Sequence, residues 1–181
     1  MARTPFSREL YNKHNSLGIK VALEMLNQYG YETIENGDVE RYCARDCLVS
    51  KDGVDVSIEV ERKAVWHRKD NWEGYSSVRV PYRKRNSGAE LYIMINEPST
   101  CLLITKMNEI KKSPTIKYTT QLHNIPEDFF SAPIEIFDVM VLEDGKWNFK
   151  TNKHNYLDQR QIPFAKSPLD MFRGSGKKID V

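Results

Sequence analysis

The tightest constraint on this chain is Asp52-Gly53, set between two β-prone runs that end at Lys51 and begin at Val54. Both turn positions accept positive φ, so the pair predicts a two-residue type I′ hairpin. The second run, Val54–Lys63, alternates: Val54, Val56, Ile58 and Val60 point one way, and Asp55, Ser57, Glu59, Glu61 and Lys63 the other. Such a pattern predicts a half-buried strand with its polar face turned to the surface. Folding the hairpin on that turn sets Lys51 against Val54, Val49 against Val56 and Cys47 against Ile58. Asp46 then opposes Glu59. The apolar residues share one face, Leu48 excepted, which supports this register.

The register brings Asp46 onto the face of Glu59, Glu61 and Lys63, with Glu61 its diagonal neighbour. Diagonal cross-strand positions lie roughly 7–8 Å apart, and Mg²⁺ holds carboxylate oxygens at about 2.0–2.1 Å. Two short carboxylate arms can close that gap, so the hairpin can hold a hard divalent cation with Lys63 beside it.

Asp46, followed after a turn by Glu61-Arg62-Lys63 at the end of a hydrophobic strand, resembles the core motif of the PD-(D/E)xK nuclease superfamily. The resemblance covers roughly the first half of the chain, and Arg45 stands where that family often has proline. It implies an α/β, restriction-endonuclease-like core: a mixed central β-sheet flanked by helices. It also implies that Asp46 and Glu61 bind the catalytic metal and that Lys63 activates water or stabilises the transition state. Glu59 is a further metal ligand under an offset alignment. Many members place a glutamate of the first helix beside the metal, a role that falls here to Glu24, whose bland alternative is a solvated helix residue. The implied activity is Mg²⁺-dependent hydrolysis of DNA phosphodiesters, with Mn²⁺ able to substitute, and endonucleolytic cutting is the expected form. A non-catalytic nucleic-acid-binding module and a structural subunit that retain the nuclease fold stay open as alternatives.

The stretch after Lys63 changes character. Arg62, Lys63, Arg68, Lys69, Arg79, Arg83, Lys84 and Arg85 are interleaved with Trp66, Trp72, Tyr75 and Tyr82, against Asp70 and Glu73 as the only local acids. Cations suit phosphates and flat rings suit bases. The expected DNA-binding residues are therefore Arg62, Arg68, Lys69, Arg79, Tyr82, Arg83, Lys84 and Arg85. The competing reading is a solvated loop with aromatics plugged into the core.

Ser7 to about Tyr29 reads as an amphipathic helix with Leu10, Leu17, Val21 and Met25 on its buried arc. Gly18 predicts a weak point or a kink, and Gly30 a C-terminal stop. Strands are expected at Tyr31–Glu35, Ala89–Asn96, Cys101–Thr105, Thr115–Leu122 and Ile134–Lys150, the last with an additional C-terminal hairpin turned by Asp144-Gly145. Met107–Lys112 reads as a short helix and Asn124–Asp128 as a loop. At 181 residues the chain suits one domain, spanning residues 1–154 with an irregular tail at 155–181.

A net charge of +2 means that any basic surface is local. The N-terminus lacks the apolar core of a signal peptide, no run is long enough to span a bilayer, and three cysteines show no zinc-ligand spacing. Cys43 and Cys47 read as buried packing residues. These features predict an intracellular protein, cytoplasmic or nucleoid-associated and not secreted; the resemblance implies DNA as its partner. A homodimer or a larger nucleic-acid-processing complex is the expected assembly. No Gly-x-x-x-x-Gly-Lys-Ser/Thr loop is present, which argues against intrinsic ATP-driven action.

Overall fold

The computed structural model describes residues 8–36, 46–119 and 126–157. In chain order these form α1 (Arg8–Gln28), β1 (Glu32–Asn36), β2 (Cys47–Lys51), β3 (Val54–Lys63), β4 (Ser77–Pro81) and a 3-10 helix at Tyr82–Asn86. There follow β5 (Leu91–Asn96), β6 (Cys101–Lys106), α2 (Met107–Lys111), β7 (Thr115–Thr119), β8 (Pro126–Pro133), a 3-10 turn at Ile134–Ile136, β9 (Asp138–Glu143) and β10 (Lys146–Thr151). Two sheets result: a seven-stranded one in the order β1-β2-β3-β5-β6-β9-β10, and a three-stranded one in the order β4-β8-β7. The pairing of β3 with β5 is parallel, and the other pairings are antiparallel, so the large sheet is mixed.

The hairpin that anchors the sequence reading forms in the expected register, with Cys47 opposite Ile58, Val49 opposite Val56 and Lys51 opposite Val54. Asp52 and Gly53 both take positive φ, at 50° and 78°, as a type I′ turn requires. Asp144 and Gly145 repeat the device, at 50° and 74°, to join β9 to β10. That second hairpin is part of the main sheet, because β9 pairs with β6.

One layer lies on each face of the large sheet. α1 covers the face built by Val49, Val56, Ile58, Val60, Ile93 and Ile104, and buries Ile19, Ala22, Met25 and Leu26 against it. Gly30 ends this helix at φ +84°, donating to the Asn27 carbonyl at 3.0 Å while Tyr31 N donates to the Leu26 carbonyl at 3.1 Å. Gln28 then docks on the sheet edge: its side-chain amide donates to the Trp147 carbonyl and accepts from the Trp147 amide, both at 2.7 Å. The exposed edge of β10 is thus partly capped. The buried arc of α1 is the expected one through Val21, Ala22, Leu23, Met25 and Leu26, and it departs at Leu17, which is exposed while Gly18 and Ile19 turn toward the sheet. Ser7 lies outside the described residues.

Gly18 is a contact point within a continuous helix. A Cβ built there would stand 3.4 Å from the Arg62 Cβ and 3.5 Å from the Val60 Cγ1, an ordinary contact distance. Alanine therefore fits, and it removes the helix penalty of glycine, about 0.8–1.0 kcal/mol. Gly18→Ala is expected to raise the melting temperature by roughly 2–4 °C, whereas Gly18→Leu should lower it by pushing α1 off β3. Thermal unfolding of the two variants checks both signs.

The opposite face differs most from expectation. In place of flanking helices it carries the three-stranded sheet and the single short α2. Val78, Val80, Phe130, Ala132, Met107 and Ile110 pack there against Tyr92, Met94, Leu103, Val139 and Val141. The reason lies in the parallel pair, since β3 and β5 can be joined only by a crossover. The crossover segment is basic, aromatic and β-branched, and it forms β4 and a 3-10 turn in place of a long helix. β8 also departs from expectation, and Pro126–Asp128, which read as loop, begin that strand. Of the expected irregular tail, residues 158–181 lie outside the described residues; residues 155–157 form a turn without helix or strand, yet Tyr156 and Leu157 are buried in the α1-side core. Their backbone and hydroxyl groups are tied down: Tyr31 Oη donates to the Leu157 carbonyl at 3.1 Å, and Tyr156 Oη to that of Ile136 at 2.8 Å. No helix among the described residues is long and apolar enough to cross a membrane.

Candidate metal and phosphate site

The crossover lays β4 and its 3-10 helix over the polar face of β3, so that face is not the open surface its alternation suggests. Ser57 and Glu59 are buried, with Glu59 only 7% exposed. A buried carboxylate needs partners, and the covering segment supplies them. Lys84 of the 3-10 helix forms an ion pair with Glu59 Oε1, and Ser87 Oγ donates to Glu59 Oε2 at 3.0 Å. Lys111 of α2 ties down the end of that turn by donating to the Ser87 carbonyl at 2.8 Å.

Asp46 enters the same region from the start of β2. Its amide donates to the Ile58 carbonyl at 2.9 Å, and its Oδ2 accepts from the Val60 amide at 2.7 Å. The side chain thereby continues the hairpin ladder one step beyond the strand. Burial pushes its carboxyl above the ordinary range, opposed by the Val60 hydrogen bond and the Lys84 charge and reinforced by Glu61. Burial also lowers the Lys84 ammonium, with the Asp46 charge acting the other way.

Glu61 is fixed from the neighbouring strand. Tyr92 Oη donates to Glu61 Oε2 at 2.6 Å, and Lys63 Nζ stands 3.6 Å from Oε1. Tyr92 is fully buried, and burial first, then the Glu61 charge, push its phenol well above its ordinary value. It is therefore a fixed donor at neutral pH. Lys63 also donates to the Arg79 carbonyl at 3.3 Å, which joins the end of β3 to β4. Asp46, Glu59, Glu61, Lys63, Lys84 and Tyr92 thus form one coupled polar cluster at the β3–β5 pair.

Other expected site residues are placed elsewhere. Glu24 sits on the opposite side of the sheet, on α1, with its side chain largely in solvent and 3.9 Å from Lys20 Nζ. The structure does not bring it to the cluster. Arg62 alternates to the α1 face and is held at the Glu97 turn, donating to the Glu97 carbonyl and lying 3.4 Å from its Oε1. Its side chain, 7% exposed on that face, ties the end of β3 to the Glu97 turn. Lys84, expected on DNA, is inside the acidic cluster. Tyr82 packs on Phe130 at 5.0 Å between ring centroids, with the Arg85 guanidinium 4.7 Å above it.

Arg68, Lys69, Arg79, Arg83 and Arg85 remain exposed. Arg79 stacks on Tyr118 at 3.7 Å. The loop bearing Arg68 and Lys69 is pinned by its backbone: Asn96 Nδ2 donates to the Arg68 carbonyl and Thr100 Oγ1 to that of Lys69, each at 2.7 Å. Cys47 and Cys101 are buried free thiols, each pushed up to about 12 by burial, while Cys43 lies outside the described residues.

Sequence reasoning does not find Tyr92, Ser87 or the role of Lys84. A signal for Tyr92 is nonetheless present. A single phenol inside the apolar run Leu91–Ile95 must find an acceptor when buried.

The donors available are carboxylate oxygens, the chemistry of a hard cation. Among the described residues no three His, Cys, Asp or Glu side chains gather in a group that could hold one ion. Mg²⁺ commonly takes only one or two carboxylates and completes its shell with water and substrate phosphate. Asp46 and Glu61 fit that demand. The chain matches no known family model, and no curated protein or solved structure shows significant similarity to it.

Proposed function

We propose that this protein is a metal-dependent nuclease that hydrolyses DNA phosphodiesters, with a restriction-endonuclease-like core built from α1 and the β1-β2-β3-β5-β6 portion of the large sheet. The observation that carries the reading is the cluster itself. Asp46 and Glu61 reach one polar face from adjacent strands, Lys63 follows Glu61 by one pleat, and exposed arginines stand on the segment that covers them. Asp46 and Glu61 would hold Mg²⁺, for which Mn²⁺ would substitute; the ion supplies Lewis acidity at the phosphate.

The chain's own groups do the rest. Lys63 keeps a cation beside Glu61, where negative charge grows as water attacks phosphorus and the P–O bond breaks. The Tyr92 hydroxyl and the Val60 amide each hold one carboxylate oxygen, which orients Glu61 and Asp46 before anything binds. Arg79, Arg83 and Arg85 would steer the phosphate backbone to this face.

Digestion of linear, circular and branched DNA with and without Mg²⁺ tests the reading. Metal-dependent cleavage is expected. DNA binding without cleavage by any divalent ion would replace it with the binding-module reading. A second measurement tests the arginines. Removing one cation that neutralises a phosphate lowers the salt slope of log K by about 0.9 on duplex DNA. Arg79, Arg83 and Arg85 changed together to Ala should flatten that slope by up to about 2.7 units, equally on all sequences. An unchanged slope would move the DNA path elsewhere.

A further inference from the structure

We propose that Lys84 is the resident counter-ion of the acidic cluster, engaging Glu59 in the metal-free protein and opposing the entry of a divalent cation at Asp46 and Glu61. The inference rests on the metal reading above and adds a residue to it.

Lys84 lies on the 3-10 helix of the crossover, 25 positions from Glu59, so the pair is tertiary and not a local helix contact. Neither partner is a rim charge: the Lys84 side chain is 17% exposed and that of Glu59 9%. The turn that bears Lys84 is itself held in place. Ser87, at its end, donates to the second Glu59 oxygen, and Lys111 secures the Ser87 carbonyl. The basic neighbours of Lys84 are exposed, Arg83 with its charge still reaching the Tyr92 phenol and Arg85 over the Tyr82 ring, whereas Lys84 turns inward.

Three carboxylates, those of Asp46, Glu59 and Glu61, enter one partly desolvated region. Their mutual repulsion must be offset before folding can bring them together. Lys63 faces Glu61 at 3.6 Å, and Lys84 faces Glu59. With Glu59 engaged in this way, only Asp46 and Glu61 are left to meet an ion. A doubly charged cation entering between them would repel the Lys84 ammonium. Its movement away from the cluster would lower the positive charge that the ion meets there. Lys84 thus sets the affinity of the site, and a metal must displace it.

The experiment is Mn²⁺ titration by calorimetry on wild type and Lys84→Met, with lysine footprinting of the wild type alongside. Removing a positive charge next to the donors should tighten Mn²⁺ binding at least about tenfold. In the wild type, acetylation of Lys84 by an activated acetyl ester should be slow without metal and several-fold faster with Mn²⁺. The exposed Lys117 and Lys146 serve as unchanged references. Should Lys84→Met fail to fold, the wild-type footprint decides by itself. If the wild type binds Mn²⁺ but Lys84→Met binds it no more tightly, or Lys84 acetylation ignores the metal, this inference falls and the metal reading stands. If neither protein binds Mn²⁺, the metal reading falls and takes the inference with it.

Discussion

Asp46→Asn is expected to abolish cleavage and at the same time to raise the melting temperature at neutral pH. The first effect follows from the loss of a proposed metal ligand. Lewis-acid stabilisation is worth several kcal/mol, and at about 1.36 kcal/mol per factor of ten its loss lowers the rate at least about 10³-fold. The second effect comes from linkage. Burial dominates the environment of the Asp46 carboxyl and raises its folded pKa above the ordinary value, although Val60 N–H and Lys84 oppose it. A carboxyl raised on folding favours the folded state fully only below its unfolded pKa of about 3.9, and that contribution is lost as pH rises through the folded value. Ionised Asp46 therefore costs stability at pH 7. Asparagine keeps an oxygen for the Val60 amide and carries no charge. Its stabilising advantage should shrink as pH falls from the raised folded value toward about 4 and vanish below it, where Asp46 is protonated in both states. Melting temperatures of the two metal-free proteins across that range check the sign. A variant less stable than wild type at pH 7 would mean that the Lys84 and Val60 interactions outweigh burial.

Lys63→Ala should lower turnover by about 10²–10³-fold while leaving DNA affinity and the fold nearly intact. The Lys63 side chain is 23% exposed, and its ammonium stands 3.6 Å from Glu61 and 3.3 Å from the Arg79 carbonyl, so it makes one loose ion pair and one long hydrogen bond. Such interactions contribute about 1 kcal/mol or less to stability. Its expected value lies in catalysis, where charge grows on the reacting phosphate. Single-turnover cleavage, duplex affinity and thermal unfolding of one preparation separate the three quantities. Equal losses in affinity and turnover would make Lys63 a binding residue, and retained turnover would transfer the role to Lys84.

Much of the local structure is legible in the sequence because it rests on short-range chemistry. Asp-Gly dipeptides admit the positive φ of a type I′ turn, and both hairpins form on them. Strict alternation in Val54–Lys63 sets which residues share a face, with Val56, Ile58 and Val60 turned to the α1-side core and Glu61 and Lys63 paired on the other side. Gly30 stops α1 where a left-handed residue is needed. The near-continuous apolar run at Leu91–Asn96 is a strand buried on both faces, as such composition requires. The errors lie where a segment's fate depends on what covers it. Leu17 and Ile19 are both apolar, and only the docking angle of α1 decides which one is buried.

Local chemistry alone dictates a hairpin, its register and therefore a polar row that ends in Glu61-Arg62-Lys63, because a two-residue turn and a period of two leave no freedom. What surrounds that row depends on long-range packing. The parallel pairing of β3 with β5 forces residues 64–90 across one face of the sheet. This crossover converts an apparent surface into a partly desolvated cluster. Three cationic residues in a row, Arg83, Lys84 and Arg85, look equivalent in sequence. A 3-10 turn sends two outward and one inward to Glu59. The pleat sends Arg62 and Lys63, adjacent in the chain, to opposite faces, and the tertiary structure gives them their different partners at Glu97 and Arg79. Burial, and the pairing it demands of each charge, arises between residues distant in sequence, and no local pattern carries it.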